Sequence, residues 1–411
     1  MTRRIVIVGG GAAGVLTALH LLRSVRDETH ITIAEPRVQL GEGVAYGTTD
    51  DAHLLNVPAA GMSAYEDAPS HFVNWAKTTP ETFLPRRRYA EYLRSELSAA
   101  AASTPLASLR HIQIAVERIT IAPLRVVATD GIKIDADSVV IALGNAEPTK
   151  PSWLNNFATA PVIADPWVYG VLDRITAGTR VLCVGTGLTF VDVALSLARR
   201  GAHVTGVSRH GLLPAVHAPV GALPVPPASF ASPSEASRWI RAQSDWRAAL
   251  AALRPATSRL WRSFDTRQQA QLLRHARRYW DVHRHRMSAT VADSLDQYRR
   301  SGLISVERGD ARVLAESGSF DVVVLCTGPD DSALLTRAPL AGLVADGVVA
   351  AGPHGMGIAT DMDTGLVVDQ RGQLVDGLYA LGPLRRGSLW ESTAIPEIRV
   401  EAQRLAARLL A

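Results

Sequence analysis

Two glycine turns carry the most specific chemistry in this sequence. Gly9, Gly11 and Gly14 follow the apolar run 5–8 in a G-x-G-x-x-G spacing, and Gly185 and Gly187 follow the apolar run 181–184 in mid-chain. A strand that enters such a turn and leaves it as a helix cradles a pyrophosphate. The first glycine permits the tight turn, the second lets backbone approach the phosphates, and the third lets the helix pack close to the strand. The helix start, at Ala12 and Ala13 in one turn and at Leu188 in the other, adds free N–H groups and a partial positive charge. Glu35 and Pro36 end the next strand about twenty residues past Gly14, where a carboxylate binds ribose hydroxyls.

The second turn is altered. Phe190 stands at its third glycine position, which predicts looser packing of helix on strand, and its second strand ends in Ser208 and Arg209 with no acid there. A carboxylate would repel a 2′-phosphate, whereas Arg209 can pair with one and stack on adenine, so this site favours NADPH over NADH. The competing reading of Arg209 is an ordinary solvent-facing arginine. Two unequal cradles on one chain predict a flavin and a nicotinamide between which electrons pass. Cys183 and Cys326 each lie inside an apolar strand with no C-x-x-C partner, so a dithiol mechanism is not expected and both read as core residues.

These turns need strands and helices to hold them. Residues 4–8, 12–25 and 31–34 read as a β-α-β unit, 70–102 as helical, 109–140 as strands of a meander, and 139–144 as a buried strand ending in Gly144. A second β-α-β unit runs from 181 to 209. A Pro/Ala-rich stretch follows at 212–233, and a helical segment at 234–300 holds Trp239, Trp246, Trp261 and Trp280 with the basic cluster Arg277, Arg278, His283, Arg284, His285 and Arg286. Thr327 and Gly328 end a strand at 322–328, and Gly382 ends another at 378–382 before a helix from about 393 to 410. The duplicated order predicts an α/β protein with two Rossmann-like dinucleotide-binding domains and a helical insertion.

The 411 residues are 47% apolar and 20% charged, an ordinary globular composition with room for two or three domains. Positive charge is almost all arginine and is scattered rather than gathered in a tract, which argues against nucleic-acid binding. No apolar run is long enough to span a bilayer and no secretory leader is apparent, so a cytoplasmic protein is expected. The i, i+2 spacing of His283 and His285 is poor for a shared metal, and no other metal constellation appears.

The segments 41–47, 55–58, 185–192, 280–286 and 382–391 together resemble flavoproteins with two dinucleotide-binding domains, the glutathione-reductase-like class that also holds flavin monooxygenases. Within it the chain is similar to a branch with urate-hydroxylase-like and N-hydroxylating-monooxygenase-related members. The resemblance implies FAD on residues 1–150, completed by 341–411, and NADPH or NADH on 151–340 with the insertion at about 212–300. It places Ala45, Tyr46, Asn56 and Val57 near the flavin ring, with Gly144, Gly382 and the Trp390-Glu391-Ser392 turn around the same cofactor. It also places Thr327 and Gly328 at the nicotinamide nucleotide. The helix after Ser392 would stabilise the anion of reduced flavin, or simply close the sheet. Two departures stand out: Pro383 follows Gly382 where an aspartate is usual, and Leu143 replaces the usual threonine before Gly144. Asn56, His283 and Arg284 are the candidate catalytic residues; a turn former and a solvated helix face are the competing roles. The expected activity is a single-component monooxygenase that hydroxylates a small molecule through a flavin hydroperoxide formed with oxygen. The alternatives are a reductase passing electrons to a partner protein or quinone, and a nucleotide-binding sensor without turnover.

Overall fold

A computed structural model describes residues 2–157 and 159–411. Its strands are β1 (Arg3–Val8), β2 (Thr29–Ala34), β3 (Ala107–Ile112), β4 (Val116–Ile121), β5 (Leu124–Ala128), β6 (Lys133–Asp135), β7 (Ser138–Ile141), β8 (Val162–Ile163), β9 (Arg180–Val184), β10 (His203–Ser208), β11 (Ile304–Arg308), β12 (Val322–Leu325), β13 (Leu366–Val368) and β14 (Leu374–Ala380). They build a six-stranded sheet in the order β13-β14-β7-β1-β2-β3, a five-stranded sheet β11-β10-β9-β12-β8, and a meander β4-β5-β6. The chain separates into two compact units, one of residues 1–49, 57–146 and 331–411, the other of 50–56 and 147–330. The mixed α/β build, with parallel sheets and crossover helices, is that of two dinucleotide-binding Rossmann-like domains.

In the first unit β1 lies between β2 and β7, parallel to both, with Val6 opposite Thr32 and Val139. Apolar side chains on both faces of β1 suit a strand covered on both sides. Val6 and Val8 join Ile119, Val126, Ile141 and Leu378 in a core shared with the meander. Ile5 and Ile7 are fully buried too, and Ile7 points toward the helix Ala12–Ser24. That helix packs along the C-terminal helix Ile395–Leu410.

Several elements depart from the sequence reading. The helical stretch 70–102 is two helices, His71–Ala76 and Arg86–Ser103. Pro80 and Pro85 lie between them, and a proline removes a donor and disfavours helix in the residue before it. The meander occupies only 116–135; β3 and β7 flank it in sequence but belong to the parallel sheet, in register with β2 and β1. Residues 331–345 sit in the first unit, with Leu340 and Leu343 buried in the meander core.

In the second unit β9 is the central partner of β10 and β12, with Cys183 opposite Gly206 and Val324. The helix Leu188–Arg199 covers one face, and Val191, Val193, Ala194 and Leu197 are fully buried. Phe190 does not loosen this packing, contrary to expectation. Its ring is fully buried against Gly206 of β10, where a Cβ would meet ring carbon Cζ at 2.6 Å. The glycine missing from the helix is balanced by a glycine on the neighbouring strand. Helices begin in the insertion at Pro233, capped by Ser232, and 212–232 is loop apart from a bridge between Val216 and Met287.

Candidate functional site

The first cradle is built as its glycines predict. Gly9 has φ of 108° and a Cβ there would collide with the Ala142 carbonyl; a Cβ at Gly14 would run into the Gly9 carbonyl oxygen. Neither position admits a side chain. Gly11 and Gly43 lie face to face, a Cβ on Gly11 falling 3.6 Å from the Gly43 Cα, and Gly41 donates to the Gly10 carbonyl at 2.8 Å. The 41–47 loop therefore lies directly on the phosphate turn, with Ala45 exposed and the half-buried Tyr46 ring 4.9 Å from Tyr89. Glu35 is buried and its carboxylate accepts from the N–H groups of Gly10 at 2.8 Å and Arg37 at 3.0 Å. Gly10 was not singled out from sequence, yet a Cβ there would lie 2.7 Å from that of Glu35. Pro36 is exposed beyond it.

The C-terminal segment closes around the same turn. Gly382, at φ 74°, faces Ala13, with the Ser392 carbonyl 3.9 Å from where its Cβ would lie. Ser392 is fully buried, and its hydroxyl has no hydrogen-bond partner among the described residues. Trp390 has φ 66° and ψ −54°, and Glu391 N–H donates to the Leu389 carbonyl at 2.8 Å. That is a γ-turn of the rare positive-φ hand, a strain of about 1–3 kcal/mol that surrounding structure must hold. The helix Ile395–Leu410 begins just beyond it with no side-chain cap and Pro396 in its first turn. Gly144, at φ 74°, has open space where a side chain would stand.

The second cradle repeats the first. Gly185 has the same φ of 108° and abuts the Cys326 carbonyl as Gly9 abuts that of Ala142; Gly187 and Gly328 face open space. Leu188 opens the helix above them with no side-chain cap on its N-terminus. The Ser208 hydroxyl is held by Thr186 at 2.8 Å and by Gly211 N–H at 3.0 Å. Thr327 turns its hydroxyl to the Thr149 carbonyl at 2.6 Å, so its side chain braces the strand end. Beyond Ser208 the exposed Arg209 is not alone. The ordinary pKa of His210 is lowered by desolvation and by Arg278, Arg308 and Arg209 around it. Arg308 was missed from sequence: it is brought in by the pairing of Ser208 with Arg308 between β10 and β11.

Cys183 and Cys326 are buried neighbours, and the hydrogen-bonded Cys183 thiol, with burial, holds that of Cys326 well above its usual pKa. Asn56 belongs to the second unit, separate from Val57, which belongs to the first. Its carbonyl accepts from His217 Nε2 at 3.0 Å. Burial, then Arg286, pulls the His217 pKa down to about 4, so the imidazole is neutral at pH 7. Arg284 is among the charges acting on His217, which brings Arg284 and Asn56 into one neighbourhood. His283 turns elsewhere, donating to the Tyr279 carbonyl at 2.7 Å and packing edge-on to Trp246 at 4.6 Å. Among the described residues no group of three or more His, Cys, Asp or Glu can hold a metal ion, and no helix is long and apolar enough to cross a membrane.

Residues 6–146 match the family described as FAD-NAD(P)-binding. No curated protein sequence matches the chain. Among solved structures it is similar to a variant flavin monooxygenase from Stenotrophomonas maltophilia, with 19% identity, 100% and 98% of the two chains covered and a TM-score of 0.59. Ornithine hydroxylase from Pseudomonas aeruginosa aligns over 100% and 99% at 15% identity and TM-score 0.56. Bacillithiol disulfide reductase from Staphylococcus aureus aligns over 100% and 98% at 13% identity and TM-score 0.56. The fold supports FAD and NAD(P)H as cofactors, and these neighbours share it while differing in what their names say they do. Residues 6–146 thus carry the match to the FAD-NAD(P)-binding family, and the chain as a whole shares its fold with these solved structures.

Proposed function

We propose that the chain is an FAD-dependent, NAD(P)H-consuming oxidoreductase of the single-component kind that hydroxylates a small molecule with oxygen. The duplicated cradle carries this reading: Gly9 and Gly185 share one positive-φ conformation against equivalent strand ends, and each opens onto an uncapped helix. FAD fits the first, where Glu35, Gly382 and the orphaned hydroxyl of Ser392 converge. The uncapped start of the helix Ile395–Leu410 offers positive charge to an electron-rich ring. NADPH fits the second, whose strand end carries Arg209 and has Arg308 of β11 and Arg278 of the 277–284 helix nearby to pair with a 2′-phosphate. Bound FAD supplies the hydride acceptor and the site of oxygen chemistry; the protein positions it and tunes its surroundings.

Burial of Cys183 and Cys326 removes the accessible thiolate that disulfide reduction uses, which favours oxygen as the acceptor. The test is purification with FAD, followed by NADPH consumption under air with a panel of small acids and amines. The expected result is a yellow protein that couples NADPH and oxygen use to an oxygenated product. A protein that stays colourless after FAD is added overturns both cofactor and activity. NADPH oxidation that waits for an added acceptor and yields no oxygenated product overturns the monooxygenase and favours the reductase.

A further inference from the structure

We infer that the helical segment of the second unit holds a receptor for a small oxyanion, centred on Arg286 with Arg247, Arg254 and Arg284. This rests on the oxidoreductase reading only in naming the occupant as its substrate: a small molecule bearing a carboxylate or phosphate.

The loop 215–217 and the end of the 277–284 helix are stitched together. Ala215 donates to Val282, Met287 to Ala215 and His217 to Met287, at 2.8, 3.0 and 2.9 Å. That ladder sets Arg286 beside His217 and beneath Trp246, whose ring lies 5.9 Å from the Arg286 guanidinium and 4.2 Å from that of Arg247. Arg247 is itself fixed by the Val216 carbonyl at 3.0 Å, and Asp245 caps the helix that carries it. All four arginines are half-buried. Two nitrogens of Arg286, Nε and Nη1, are fully enclosed and have no hydrogen-bond acceptor among the described residues.

A guanidinium does not shed its proton to escape such a place. Desolvation bears on Arg286 first, then the like charges of Arg247, Arg284 and Arg254, with Asp245 opposing them. Enclosed donors without acceptors and converging like charges on Arg286 are each unfavourable. A bound oxyanion accepts from the Arg286 guanidinium and offsets its charge. The neutral His217 between this cluster and the Asn56 carbonyl ties the receptor to the segment already picked out for chemistry.

The experiment uses FAD-loaded protein saturated with NADP⁺, so that the arginines beyond Ser208 are occupied. Inorganic phosphate and citrate are titrated separately at constant ionic strength, followed by calorimetry and by melting temperature. At least one is expected to bind, and the tighter of the two identifies the oxyanion as phosphate or carboxylate. Arg286→Gln and Arg286→Met are each expected to weaken that binding about tenfold or more. With no anion present, both are expected to melt higher than the parent, a gain that loss of a merely structural arginine would not give. Absence of binding by both anions, or unchanged binding in the variants, overturns the receptor. Should Arg286→Met fail to fold, Arg247→Gln with its flavin spectrum intact answers the same question. A protein that takes up FAD and oxidises NADPH but binds no anion loses this inference alone, whereas one that takes up no FAD loses the oxidoreductase reading.

Discussion

Arg209, Arg278 and Arg308 surround His210 at the end of β10. Pairing of a guanidinium with a phosphate is a charge-assisted contact, and its loss is felt by NADPH and not by NADH, which lacks the 2′-phosphate. Arg308→Gln is therefore expected to raise the KM for NADPH about tenfold while moving that for NADH less than twofold, in steady-state assays with each nucleotide. Equal effects on both would assign Arg308 to the fold. Arg209 was legible in the sequence because it directly follows the strand end; Arg308 was not, since only the long-range pairing of β10 with β11 puts it there. The same holds for Gly10, whose contact with Glu35 joins the ends of the neighbouring strands β1 and β2.

Elements with strong local signals were the readable ones. An apolar run into a glycine turn and then an amphipathic helix is one contiguous pattern, and β1, β9, β12 and the helices after the two turns appear where it stands. What spacing does not encode is compensation between elements. Phe190 reads as a defect in its own motif, and only the register of β9 with β10 shows that Gly206 makes room for it. Gly206→Ala is expected to cost about 1–3 kcal/mol through overpacking. In a Phe190→Leu background most of that penalty should vanish, and urea unfolding of the four proteins of the cycle measures the coupling. Additive effects would separate the two residues. The 50–56 segment was equally illegible: Asp50 accepts from Ser196 at 2.6 Å and Ser196 from His53 at 2.8 Å, contacts that seat it on the helix Leu188–Arg199.

Each unit carries a histidine whose pKa is brought down to about 4 chiefly by desolvation, the buried His20 in the first and the half-buried His217 in the second. An unfolded chain protonates both near pH 6.5, while the folded protein resists until about pH 4. Their contribution to stability is therefore whole above pH 6.5 and lost as pH falls toward 4. The urea midpoint should drop between pH 7.5 and pH 5, and less so in His20→Gln; an equal drop in that variant would remove His20 from the account. The division of the chain between units has a further consequence for biosynthesis. β14 is the inner neighbour of β7, and the helix Ile395–Leu410 packs on the helix Ala12–Ser24, so the unit begun first lacks two strands and a helix until residues 366–410 are made. The second unit is complete at residue 330. The whole of the second unit is therefore synthesised before β13, β14 and the helix Ile395–Leu410 of the first.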